Sequence, residues 1–125
     1  MFRRIDHIAL HVRDISRAVA FYESVLGFKK YAEHTVGAAA VRSIVYLKLG
    51  DTALELTHMP EADAMKGFHF CLEAMNFDQV MDQMASQGVR ILQPVHPAHA
   101  REPCEQGWRR VVFEGPEGEE IELRG

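Results

Sequence analysis

Pro116-Glu117-Gly118-Glu119-Glu120-Ile121-Glu122-Leu123-Arg124-Gly125 stands at the end of the sequence, and its reading decides the fold. Pro-x-Gly is a turn signal, and the residues behind it alternate in character. On a strand, side chains alternate between faces. Ile121 and Leu123 therefore point into a core, and Glu120, Glu122 and Arg124 point the other way. A carboxylate on the wet face of a sheet is ordinary by itself. This one has a copy: Leu54-Glu55-Leu56 follows the turn at Gly50-Asp51. Each copy also has a histidine strand upstream, Asp6-His7-Ile8-Ala9-Leu10 before the first and Phe68-His69-Phe70-Cys71-Leu72 before the second.

Working outward from these four strands, the chain reads as one pattern written twice. Arg4 to Arg13 alternates, with Ile5, His7, Ala9 and His11 on one face and Ile8, Leu10 and Val12 on the other. Asp14 or Ser16 caps a helix whose Ala18, Val19, Tyr22, Val25 and Leu26 fall at helical spacing, and Gly27 stops it. Strands are predicted over Lys29 to Thr35, Arg42 to Leu49 and Thr52 to His58, the last two joined as a hairpin. Met59 to Gly67 is a linker. The order then restarts with a strand over Phe68 to Glu73. Asn76 or Asp78 caps a helix carrying Phe77, Val80, Met81 and Met84, which Gly88 ends. A short strand is predicted over Val89 to Leu92 and a long loop over Gln93 to Gly107, which holds Pro94, Pro97 and Pro103. Trp108 to Glu114 and Glu119 to Arg124 form a closing hairpin. The predicted fold is α+β: paired βαβββ modules, about 1–59 and about 67–125, in a single domain. Each module carries one helix on its outer face, and the polar sheet faces line a groove.

The composition narrows the function classes. At 125 residues with 47% hydrophobic side chains the chain can bury a real core. A formal net charge of −4 gives no nucleic-acid footprint. Its apolar runs are far short of a membrane span. The stretch Met1 to Asp6 has no apolar signal region. Cys71 and Cys104 lack CxxC spacing, so the expected setting is the reducing cytoplasm, without a disulfide or a zinc finger.

In repeat register His7 matches His69, and Glu55 matches Glu122. Imidazole and carboxylate together suit a borderline divalent metal, and strands hold such ligands more rigidly than loops do. Taken singly, each of these residues is an ordinary surface or hydrogen-bonded side chain; the matched repetition is what singles them out.

The residues Asp6-His7-Ile8-Ala9-Leu10-His11-Val12, Ala20-Phe21-Tyr22-Glu23-Ser24-Val25-Leu26-Gly27-Phe28, Leu54-Glu55-Leu56-Thr57, Gly67-Phe68-His69-Phe70 and Gly115 to Leu123 resemble the vicinal oxygen chelate superfamily. That superfamily includes glyoxalase I, methylmalonyl-CoA epimerase, fosfomycin-resistance proteins, extradiol dioxygenases and bleomycin-binding proteins. The resemblance covers nearly the whole chain and implies a cupped sheet with a metal at its centre. It implies His7, Glu55, His69 and Glu122 as ligands of one divalent ion per site: nickel, cobalt or zinc, with manganese or iron as further options. It further implies proton transfer next to a metal-chelated carbonyl through an enediolate, with Glu122 detaching from the metal to act as base. Glu33, on the second strand, is a candidate second base by position.

The set of two His and two Glu resembles glyoxalase I first, as a lactoylglutathione lyase-like enzyme. The alternatives are a methylmalonyl-CoA epimerase-like enzyme, which usually has Gln at the position of Glu55, and a non-catalytic, drug-sequestering binding protein. Glyoxalase I-like proteins commonly carry Arg where this chain has His11 and Asn near Met59. Their absence tells against glutathione. The substrate class is thus an α-oxo or α-hydroxy carbonyl compound or a thioester. His11 shares the strand face of His7 and is a candidate substrate contact. Arg101, Arg109 and Arg110 are candidates to meet an anionic substrate, or are a solvated charge cluster. Cys71 shares the face of His69 and reads as a small buried residue. A homodimer completes the expectation.

Overall fold

A computed structural model of the chain describes every residue except Phe2. The expectation that Met1 to Asp6 runs straight into the first strand thus lies partly outside the described residues. Among the described residues the elements are β1 (Ile8–Val12), α1 (Ile15–Ser24), β2 (Lys29–Thr35), β3 (Ser43–Leu49), β4 (Thr52–His58), β5 (His69–Glu73), α2 (Phe77–Ser86), β6 (Ile91–Pro97), a 3-10 turn (Pro103–Glu105), β7 (Arg109–Glu114) and β8 (Glu120–Arg124). They divide into two units, Met1–Ala64 and Met65–Gly125. Each unit is a βαβββ module with a four-stranded sheet, ordered β1-β4-β3-β2 in the first and β5-β8-β7-β6 in the second. The α+β class and the paired modules stand as the sequence predicts.

In the first unit Asp14 caps α1 by accepting from the Arg17 backbone N–H at 3.0 Å, which satisfies one of the donors that a helix start leaves open. Gly27 adopts φ 76° just past the helix, a left-handed conformation that favours glycine. The apolar face of α1 meets Leu10, Val12, Val45, Leu47, Leu54 and Leu56, all at most 3% exposed. Burying each such side chain contributes about 1.5–3 kcal/mol. β1 runs parallel to β4 with Ala9 opposite Glu55, and β3 runs antiparallel to β4 with Tyr46 opposite Glu55.

The second unit repeats this. Asn76 caps α2 through the Gln79 backbone N–H. β5 runs parallel to β8 with Cys71 opposite Glu122, and β7 runs antiparallel to β8 with Val112 opposite Glu122. Ala9–Glu55 and Cys71–Glu122 are thus the same pairing in the two sheets, and the repeat register read from the sequence holds strand for strand.

The closing turn carries its own lock. Gly118 donates to the Gly115 carbonyl at 3.1 Å. The fully buried Glu119 folds back to accept from the Glu117 backbone N–H at 2.8 Å. A Cβ on Gly115 would lie 2.3 Å from the Glu119 Cδ. Because that carboxylate is pinned, Gly115→Ala is expected to destabilise the protein by about 1–3 kcal/mol, read from urea unfolding.

Two boundaries differ most from expectation: β1 begins at Ile8 rather than Arg4, which leaves His7 just outside the strand, and β6 is longer than expected. β6 runs from Ile91 to Pro97 rather than stopping at Leu92, so Pro94 and Pro97 lie in a strand and not in the long loop. β6 is an edge strand, where a missing N–H breaks no second ladder. The register shifts on either side of Gln93 absorb the misfit.

Candidate metal and proton-transfer site

Each unit brings one histidine and one glutamate together on the sheet face away from its helix. In the first unit His7 lies just before β1, and its Nε2 stands 3.2 Å from Glu55 Oε2. The other ring nitrogen, Nδ1, contacts Asp6 Oδ2 at 3.0 Å. This contact draws the Asp6 carboxyl below its usual value, chiefly through the hydrogen bond with His7. A proton on Nδ1 satisfies Asp6 and turns the Nε2 lone pair toward Glu55. Two electron-rich atoms at that distance need a proton or a cation between them. Two donors about 2.1 Å from one ion lie about 3.0 Å apart at an octahedral angle and about 3.4 Å apart at a tetrahedral one. The observed spacing falls between these values. A carboxylate behind a ligating histidine is the usual support for its orientation.

Glu55 is held from its other side by a neutral donor. Thr57 Oγ1 donates to Oε1 at 2.9 Å. Tyr46 stands opposite Glu55 in register, and interaction with that carboxylate is the main reason the phenol's ionisation is pushed above its ordinary value. The carboxylate side chain keeps only 13% of its surface in solvent.

In the second unit His69 and Glu122 line one small polar cavity of about 70 Å³ with Gln93, Arg110, Val112 and Glu120. Here the carboxylate is held by cations. Arg110 Nη2 donates to Glu122 Oε2 at 2.9 Å, and Arg124 Nε lies 4.0 Å from Oε1. Cys71, beside Glu122, keeps part of its surface in solvent, yet burial of its thiol and then the Glu122 charge push it up to about 11. The thiol therefore stays protonated at neutral pH. The sequence reading of Cys71 as a small buried residue does not hold, since the residue is exposed.

A further ion pair stands behind this arrangement. Arg124 is 8% exposed. It donates to the His99 carbonyl at 2.8 Å and to Glu105 Oε2 at 3.1 Å, with its guanidinium over the Trp108 ring. Glu105, buried in the 3-10 turn, accepts from the Arg101 side chain and backbone N–H. The Arg101 side-chain bond, then the backbone bond, hold its carboxyl at about 2.

The other sequence candidates fall as follows. His11 is exposed on the His7 face, paired in register with Thr57. Glu33 pairs with Val45 and lies on the face covered by α1, where it bridges to Lys30. It is therefore on the opposite face of its sheet from Glu55. Arg101 is bound to Glu105. Arg109 lies on the α2 side, bonded to Asp78 at 2.8 Å with its guanidinium 4.5 Å from the centre of the Phe77 ring. The arginine on the Glu122 face is its neighbour Arg110. Tyr46, Thr57, Arg124 and Glu105 were not singled out. For Tyr46 a signal existed: a tight turn at Gly50-Asp51 sets Leu49 opposite Thr52 and so Tyr46 opposite Glu55.

Among the described residues no group of three or more His, Cys, Asp or Glu side chains is gathered closely enough to hold a metal ion. Each unit presents one His and one Glu on the same sheet face. Among those residues no helix is long and apolar enough to cross a membrane.

Comparison with known proteins follows the same lines. A family model described as the Glyoxalase/Bleomycin resistance protein/Dioxygenase superfamily matches residues 4–123. The mitochondrial methylmalonyl-CoA epimerase of Bos taurus is 31% identical over 105 residues, covering 71% of this chain and 57% of its own length. The chain thus spans little more than half of that relative. The ethylmalonyl-CoA/methylmalonyl-CoA epimerase of Cereibacter sphaeroides is 27% identical over 115 residues, covering 81% of this chain and 85% of its own. Among solved structures, a glyoxalase family protein from Enterococcus faecalis superposes with a TM-score of 0.82 at 21% identity, over 99% of this chain and 98% of its own. A mutant of the fosfomycin resistance protein FosX from Listeria monocytogenes, complexed with Mn(II) and a dihydroxypropylphosphonic acid, superposes with a TM-score of 0.74 at 16% identity, over 98% of this chain and 90% of its own.

Proposed function

Because the chain belongs to the glyoxalase/bleomycin resistance protein/dioxygenase superfamily, we propose that it is a metal-dependent enzyme that moves a proton next to the carbonyl of a coenzyme A thioester. The observation that carries this reading is the His–Glu pair occurring in each unit at the same strand register. His7, Glu55, His69 and Glu122 are the proposed ligands for a divalent ion. Their nitrogen and oxygen donors suit nickel, cobalt, zinc, manganese or iron. When bound, the ion supplies Lewis-acid stabilisation of the negative charge that develops on the thioester oxygen.

The chain's own residues do the rest. Glu122 accepts the proton from the carbon next to the carbonyl. Arg110 fixes Glu122 Oε2 and so sets the direction from which Oε1 approaches. The Cys71 thiol, protonated at neutral pH, does not compete for that proton. Glu33, on the α1 side of β2, has no part in this reading.

The sequence alone ranks a glyoxalase I-type lyase first. Relatives named as epimerases favour a thioester instead, in keeping with His11 and Met59 at the positions where glutathione contacts would stand. A homodimer belongs to the same proposal. Elemental analysis of the purified protein, with titration of added cobalt or nickel, is expected to give one ion per site. Failure to bind any of these ions would sink the enzyme reading and leave a metal-free binding protein.

A further inference from the structure

A cavity of about 220 Å³ lies in the first unit, where the loop after β2 meets the chain leaving β4. Ala39, Ala40, Met59 and Pro60 give it aliphatic walls, and Arg42 and Glu61 give it two charges. Backbone bonds tie these walls together. Arg42 N–H donates to the His58 carbonyl at 2.9 Å, Val36 N–H to the Arg42 carbonyl at 2.9 Å, and Ala62 N–H to the Met59 carbonyl at 3.0 Å.

The place of the cavity follows from register. Tyr46 stands opposite Glu55, and Ile44 opposite Thr57. Side chains two apart on a strand share a face, so Arg42 and Met59, one residue beyond β3 and β4, continue these two rows. The cavity therefore lies on the sheet face of Glu55, roughly 13 Å further along the chain at about 3.3 Å per residue. Its volume is below the roughly 300–1,000 Å³ of a pocket that encloses a whole small ligand, so it suits one segment of a longer one. Aliphatic walls with one guanidinium and one carboxylate suit amide links between aliphatic carbons. The guanidinium donates to an amide carbonyl, and the carboxylate accepts from an amide N–H. The arm between the sulfur and the diphosphate of coenzyme A is such a chain, with two amides and a dimethyl carbon.

We propose that this cavity is a subsite for the pantetheine arm of a coenzyme A thioester whose carbonyl lies beside Glu55. This rests on the thioester reading given above and adds where the rest of the substrate lies. Arg42 and Glu61 hold the amides, and the aliphatic walls cover the carbons between them.

Titration calorimetry with coenzyme A tests this on three variants beside the native chain, with the melting temperature of each. Ala40→Phe fills the cavity from an exposed position, Arg42→Ala removes its donor, and Ala85→Phe places the same ring at an exposed position on α2. Coenzyme A is expected to bind the native chain and A85F alike. Its affinity is expected to be about 10–100-fold weaker in A40F and R42A, with melting temperatures near the native value. If A40F does not fold, R42A carries the test. Native affinity in either cavity variant that folds overturns the subsite and leaves the thioester reading standing. An equal loss in A85F also overturns the subsite, because the effect would then not belong to the cavity. No binding of coenzyme A by the native chain overturns the thioester reading and this inference together.

Discussion

Glu122→Gln is expected to lower proton exchange on a coenzyme A thioester by about 10²–10⁴-fold, the range a positioned general base contributes. The substitution removes the proton acceptor and the carboxylate charge while keeping the side chain's shape. A carboxamide oxygen still accepts from Arg110 Nη2, and the residue keeps its place between Ile121 and Leu123, at 0% and 3% exposure. Melting temperature is therefore expected to stay near the native value. Because Glu122 is also an assigned ligand, metal content has to be measured in the same samples. A loss of exchange with the ion still bound isolates the proton-accepting role. Full exchange by the variant would show that the base is elsewhere.

Glu105→Ala is expected to have the largest effect on stability, lowering the melting temperature by roughly 10 °C or more. Arg124 is 8% exposed and leans on Glu105, the His99 carbonyl and the Trp108 ring. Removing the carboxylate leaves the buried guanidinium with only Glu122 Oε1, at 4.0 Å, as a counter-charge. It also frees Arg101 and the 3-10 turn, and it loosens the backing of Glu122. The native ion pair carries a pH signature. Its carboxyl sits at about 2 in the folded chain against 4.5 for an unperturbed glutamate. Its stabilisation is therefore fully present above about 4.5 and is lost as pH falls toward 2. Thermal melts across this range are expected to show the acid limb shallower in Glu105→Ala than in the native chain. A variant that melts at the native temperature would mean that Arg124 finds another anchor.

Much of this site was legible because strand alternation is strict. Ile121 and Leu123 buried, with Glu122 between them, follow from parity alone, and so do Leu54, Glu55 and Leu56. The matching of His7 to His69 and of Glu55 to Glu122 needed only the repeat. Arg109 and Arg110 were harder, because Val111, Val112 and Phe113 are all buried and hide the parity of β7. Arg109 consequently went to the α2 face while Arg110 took the place beside Glu122. Glu33 failed for a related reason: the register shift between Lys30 and Ala32 decides which face it takes, and a bulge leaves no mark that alternation can read. Pro94 and Pro97 read as loop residues because an edge strand's tolerance for proline depends on neighbours in space. Arg124 looked solvent-facing, since its partner Glu105 lies in a loop without periodicity. That pairing is tertiary, and no local pattern announces it.

The reaction proposed for the site is metal-dependent proton transfer at a carbon next to a thioester carbonyl. The most direct measurement incubates the protein with methylmalonyl-CoA in deuterium oxide, once loaded with cobalt(II) and once stripped with a chelator, and follows deuterium at the carbon between the two carbonyl groups by mass spectrometry. Rapid incorporation is expected for the loaded protein, with only the uncatalysed background after stripping and recovery when cobalt is restored. Background-level incorporation by protein shown to hold its metal, or undiminished incorporation after the metal is removed, would contradict it.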